Sequence, residues 1–157
     1  MYSFDSSTVV HFFDNYPMDN PHLKLLWDWF EGKMNSGEFV VSKRAYEEIR
    51  NKTSDDFFEW FKDINIIYDR VEDLLVVQMI KDLLEIEEDN YHSKGVDEND
   101  LFIIVISKRI NTVLISEEGR QPSLPRVKSK YKIPSVCNLP QVNVECINFT
   151  ELLNINP

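Results

Sequence analysis

The chain has 157 residues, of which hydrophobic types make up 43% and glycine only 4, a size and composition suited to a single domain over residues 1–157 with a core of its own and unlike a disordered or low-complexity protein. A formal net charge of −10 argues against a simple nucleic-acid binder, because phosphate contacts need a basic footprint. No apolar run approaches a bilayer span and the N-terminus lacks the basic-then-apolar layout of a signal peptide, so a cytoplasmic protein with no membrane contact is expected.

Met1 to Phe4 is short and apolar, Asp5 to Thr8 is polar, and Val9, Val10, Phe12 and Phe13 resume the apolar pattern. A strand running into a helix is expected, with Asp5 at the strand's C-terminal end; taken alone, Asp5 or Ser6 reads as a helix cap. Asn15 to Pro21 reads as a loop, and Asp19 or Asn20 can cap the helix that follows. In that helix Leu23, Leu26, Trp27, Phe30 and Met34 recur at spacings of three and four, giving one apolar face for the sheet. Gly37 to Val41 is a second strand, after which Ser42 caps a helix carrying Glu47 and Glu48 in front of Ile49. Ser54 to Lys62 reads as a short amphipathic helix and Ile64 to Tyr68 as a third strand. Arg70 to Tyr91 is expected as one long helix with a solvated acidic tail, although acids at a helix C-terminus oppose the dipole.

The stretch from Val96 to Arg120 organises the rest. An acid cluster (Asp97, Glu98, Asp100) opens one apolar run, Lys108 to Thr112 breaks it, and Val113 to Ile115 forms a second run that stops at Ser116, Glu117 and Glu118. The first run is rich in β-branched residues that favour strand, and periodicity does not separate the two states. Helix is expected because an Asn or Asp before the run suits an N-cap and the next run needs a crossover to join a parallel sheet. The helix start and the second strand's C-terminal end then share the sheet edge where ligands bind in open α/β folds.

Between Gly119 and Val144 there is no acid, while Arg120, Arg126, Lys128, Lys130 and Lys132 are basic. This proline-rich loop reads either as solvated charge or as a track for phosphates or an acidic partner. Cys137 and Cys146 read as buried free thiols, since they lack metal-site spacing and a histidine partner. His11, His22 and His92 have no neighbours in sequence that would make them bases or ligands. Val142 to Ile147 is a last strand and Asn148 to Leu153 a closing helix.

In this layout the chain resembles a PIN-like domain, the nuclease fold of VapC-type toxins, and more narrowly a PIN-like branch encoded in toxin and antitoxin loci. The likeness spans almost the whole chain and is carried by SFDSSTVV, WDWFEGKMNSGEFVVSKRAYEEI, NDLFIIVIS, TVLISEEG, KIPSVC and VECINFTELL. It implies a three-layer α/β/α sandwich around a mainly parallel sheet of four to five strands. It also implies acids that hold Mg²⁺ or Mn²⁺ for phosphodiester hydrolysis. Asp5 matches the acid ending the first strand, Ser7 the small polar residue after it, and Glu48 the helix glutamate. Asp100 matches the acid opening the buried helix, with Asp97 as alternative; Glu118 matches the acid after the fourth strand, with Glu117 as alternative. Where such domains have small residues inside the buried helix, this chain has Val105 and Ser107.

Several carboxylates within a few ångströms raise one another's pKa unless a cation neutralises them, and hard divalent ions with oxygen ligands meet that need. The resemblance, with this chemistry, implies a Mg²⁺- or Mn²⁺-dependent endoribonuclease, the toxin of a type II toxin-antitoxin pair. Asp5, Glu48, Asp100 and Glu118 would bind metal, and Ser7 would orient a water or a ligand carboxylate. RNA is the expected substrate, guided by Arg120 to Lys132, and a cognate antitoxin the expected partner; a homodimer is compatible with this. The rival is a catalytically inactive PIN-like interaction module whose acids are caps or solvated charge. A phosphoryl-acceptor role for Asp5 fits less well, because Ser7 stands where haloacid dehalogenase phosphatases need a second aspartate. Receiver domains, in turn, need a lysine that Cys146 to Phe149 does not supply.

Overall fold

The computed structural model describes residues 1–155, whose apolar runs assemble a five-stranded sheet. The strands are β1 (Tyr2–Phe4), β2 (Phe39–Ser42), β3 (Ile66–Ile67), β4 (Val113–Ile115) and β5 (Cys146–Ile147). All pair in parallel, in the order β3-β2-β1-β4-β5. Helices α1 (Ser6–Asn15), α2 (Lys24–Asn35), α3 (Lys43–Lys52), α4 (Asp55–Phe61), α5 (Val71–Leu83), α6 (Glu98–Arg109), α7 (Ile133–Cys137) and α8 (Phe149–Ile155) complete a three-layer α/β/α sandwich. The expected fold class is the observed one, with the sheet parallel throughout. No helix among the described residues is long and apolar enough to cross a membrane.

Alternation along β1 assigns the layers. Phe4 points to one face, where its ring lies 5.6 Å from Phe30 of α2 and 4.8 Å from Phe39. Phe30 also stacks on Phe12 of α1 at 4.4 Å, and Phe12 meets Phe149 of α8 at 5.2 Å. Ser3 points to the other face and meets α6, its hydroxyl 2.6 Å from that of Ser107. Thr112 donates to Ser3 at 3.0 Å and Ser107 to the Ile103 carbonyl at 2.8 Å. The Ser107 hydroxyl inside the buried helix is thereby satisfied, as a buried hydroxyl must be.

Leu101 to Ser107 of α6 are all buried. A helix enclosed on every side has no polar face to display, so the β-branched run is helical because burial and the crossover outweigh propensity. Its cap is Asp97 and not the Asn99 or Asp100 next to the run.

Several expected boundaries move, each for a backbone reason. Gly37 takes φ +76° and its N–H donates to the Met34 carbonyl, so it closes α2 instead of opening β2. The long helix expected over 70–91 ends at Leu83. Glu85 adopts φ 58° and donates to Asp82 O, while Ile86 N–H donates to Lys81 O at 2.9 Å. This Schellman stop buries Ile86 and takes the acids Glu87, Glu88 and Asp89 off the helix terminus they would destabilise. Val71, Leu74 and Leu75, expected among the helix's apolar positions, are exposed, and Asp73, Val77, Ile80 and Lys81 face inward instead. The last strand shrinks to two residues because Val142, Asn143 and Val144 donate their N–H groups back to Leu139 and Cys137. Helix α7 forms inside the segment expected as a loop. Cys137 is buried and Cys146 half-buried, both as free thiols.

Phe30 is fully buried among Phe4, Phe12, Phe39 and Trp60. Phe30→Ala should therefore cost about 3–5 kcal/mol, read as a lowered urea midpoint with an unchanged slope.

Candidate functional site

Parallel register brings three strand ends level. Phe4 pairs with Val41 on one side and Ile115 on the other, so the residues that follow, Asp5, Ser42 and Ser116, meet at one edge. Strand order reverses between β1 and β4, which makes this edge the switch point where open α/β sheets bind ligands. Ser42 is used locally, accepting from Ala45 N–H at 3.1 Å to cap α3.

Asp5 occupies the N-cap position of α1 without capping it through its side chain. Its Oδ2 instead accepts hydroxyl protons from Ser7 at 2.5 Å and Ser116 at 3.0 Å. The residue is 2% exposed. Burial pushes its pKa above the usual carboxylate range, the two hydroxyls pull it down, and the charge of Glu48 pushes it up again.

The other acids arrive from different elements. Glu48, on the second turn of α3, accepts from the Ser6 hydroxyl at 2.5 Å and lies 3.8 Å from Lys52. Glu47 is exposed and faces Lys43 instead. Asp97 and Asp100 form a capping box at the start of α6, each carboxylate accepting the other's N–H at 2.9 Å. Burial, opposed by the Asp97 N–H and assisted by the charges of Asp97, Asp5 and Glu118, pushes Asp100 up to about 8. Glu118 accepts from Ile133 N–H at 2.8 Å, at the first turn of α7. Burial raises its pKa, the Ile133 N–H and Lys132 lower it, and Asp5 and Asp97 raise it. Glu117 turns the other way, accepting from Phe149 N–H at 2.7 Å.

The expected acids therefore sit close enough to shift one another, yet among the described residues no three acid, histidine or cysteine side chains stand in an arrangement that holds a metal ion. Glu48, Asp100 and Glu118 each spend an oxygen on a hydrogen bond to Ser6, Asp97 or Ile133. By donor chemistry the set suits a hard divalent cation. It is all oxygen, crowded with like charge and partly desolvated, and a cation would relieve the repulsion.

The five basic residues do not form one patch. Arg120 pairs with Glu151 at 2.6 Å and Lys128 stands 3.7 Å from Glu85. Arg126 is exposed. Lys130 and Lys132, with Lys94, line a groove that also contains Glu118.

The profile of the family described as a domain of unknown function, DUF4411, matches residues 2–156. The chain belongs to the DUF4411 family. No curated protein matches it. Two features of this DUF4411 site are absent from the sequence reading: the second hydroxyl on Asp5, from Ser116, and the use of Glu118 as acceptor for α7. The latter had a signal in Pro134, a residue favoured in the first turn of a helix.

Because the Asp100 pKa lies near 8 in the folded DUF4411 chain against an ordinary 3.8, the folded state holds the extra proton between those values. Unfolding then releases it, so this group makes stability fall as pH rises through that window. Asp100→Asn keeps an oxygen for the Asp97 N–H and removes the charge. Its urea midpoint should exceed the wild type's by a margin that is small at about pH 4 and grows toward pH 8.

Proposed function

We propose that this protein is a PIN-like, Mg²⁺- or Mn²⁺-dependent endoribonuclease acting in the cytoplasm, the toxin of a type II toxin-antitoxin pair with a cognate antitoxin protein as its partner. The observation that carries the reading is the buried Asp5 carboxylate at the sheet's switch point, within electrostatic reach of Glu48, Asp100 and Glu118. Asp5, Glu48, Asp100 and Glu118 would hold the ion, with Asp97 as the alternative at the start of α6. Once bound, such an ion supplies a hydroxide-like nucleophile and stabilises charge growing on a phosphate.

The chain's own residues prepare that chemistry. The Ser7 and Ser116 hydroxyls fix Oδ2 of Asp5 in one orientation, a positioning role of the kind that tunes ligand carboxylates. Ser6 does the same for Glu48. The proton that Asp100 holds near neutral pH must leave before that group can bind a cation, and burial shifts Glu118 in the same direction, so activity should rise with pH.

A second reading, an inactive PIN-like interaction module, is favoured by one observation: Glu117 and Glu118 accept backbone N–H groups at the starts of α8 and α7, and so have a structural use without any ion. The two readings part on metal binding. Under the hydrolase reading, Mn²⁺ binds the wild type in calorimetry, binds Glu118→Gln at least tenfold more weakly, and RNA cleavage is abolished in Asp5→Ala with the fold intact by circular dichroism. Undiminished cleavage by Asp5→Ala would reject the assignment, and absent Mn²⁺ binding by the wild type would leave the interaction module.

A further inference from the structure

Gly95 is the residue that selects the inference. Its N–H closes the turn from His92 at 3.0 Å, and a Cβ built on it would lie 1.9 Å from the Ser129 carbonyl oxygen and 3.0 Å from Lys130 Cα. Only glycine lets the 92–95 turn come this close to the 3-10 turn at Lys128–Lys130. The contact is continued by Val96 N–H donating to the Tyr131 carbonyl at 3.0 Å. On the far side Gln121 fastens the same segment, donating to the Lys130 carbonyl and accepting from Lys132 N–H and the Ser135 hydroxyl.

The consequence is a groove of about 420 Å³ in which Lys94, from one segment, joins Lys130 and Lys132 from another, with Glu118 among the lining residues. None of these three ammonium groups is in an ion pair among the described residues, whereas Arg120 and Lys128 of the same basic stretch have carboxylate partners. On a chain of net charge −10, three cations gathered in a groove that reaches Glu118, one of them, Lys132, already acting on its charge, form a local sink for anions.

We propose that Lys94, Lys130 and Lys132 are the phosphate track that carries single-stranded RNA to the carboxylates, and that Gly95 is its positioning residue. Arg120, Arg126 and Lys128 stand outside the track. The proposal depends on the hydrolase reading for the identity of its ligand. Its test does not depend on hydrolysis, because phosphate contacts act without the metal.

The experiment is fluorescence anisotropy of a labelled oligouridylate with the full chain in chelator, titrated over a series of salt concentrations. Each of Lys94→Ala, Lys130→Ala and Lys132→Ala should weaken binding several-fold and flatten the slope of log affinity against log salt by about 0.7, and the triple variant by about 2. Lys128→Ala, which removes the same charge from the same stretch, should have the smaller effect. Gly95→Ala should weaken binding with all three lysines present; where it fails to fold, the lysine series decides alone. No binding by the wild type, a triple variant that binds as the wild type does, or a Lys128→Ala loss as large as the others would overturn the track. Such a result leaves Mn²⁺ binding through Glu118 untouched, and lysine-dependent RNA binding without Mn²⁺ binding would sink the hydrolase reading alone.

Discussion

The arrangement around Asp5 is the constraint on which the rest of this edge depends. Its carboxylate is removed from water at the end of the central strand, flanked by strands on both sides, with two serine hydroxyls donating to one oxygen. A hydrogen bond to a charged group contributes about 1.5–3 kcal/mol, while the effective cost of burying an ion runs to several kcal/mol. The hydroxyls therefore offset the desolvation only in part, which is why the pKa rises despite them. Asp5 spends chain stability on a charge that the surrounding acids make still less comfortable.

That tension propagates outward. Glu48, Asp100 and Glu118 are each anchored by one hydrogen bond to a group on another segment or at a helix start. These anchors tie the carboxylates to the framework: α3 and α1 through Ser6, α6 through its own capping box, and α7 through Ile133. A change in charge at the rim would therefore be felt at three helix starts. Arg44 braces the same region, its guanidinium 4.0 Å from the Phe102 ring centroid and bonded to Asp69 and Asn99. It ties α3 to α6, and so the element bearing Glu48 to the one bearing Asp100.

Two other buried polar groupings have no such crowding. Ser3, Ser107 and Thr112 satisfy one another, and the Asp73 carboxylate of α5 is held by the Arg109 guanidinium of α6 at 2.9 and 3.2 Å. These polar groups are paired, whereas the carboxylates at the rim are crowded and under-compensated. In folded proteins such a contrast marks where local rules are broken for a purpose.

The amino-acid order by itself determined the alternation of strands and helices, the parallel sheet and the placement of Asp5, Glu48 and Glu118 near strand or helix ends, because those follow from apolar runs and capping residues that act over a few positions. Propensity alone would have made α6 a strand; the need for a crossover, a topological argument, read it correctly. Tertiary structure decided where α5 stops, since the turn that ends it places Ile86 in the hydrophobic core. It likewise decided that Glu117 and Glu118 face opposite ways. The basic stretch was visible as composition, yet its division into paired and unpaired cations depends on Glu85, Glu151 and Lys94. Those neighbours are brought in by long-range packing and by a glycine whose close contact with Ser129 spans more than thirty positions, a distance over which local pattern carries no information.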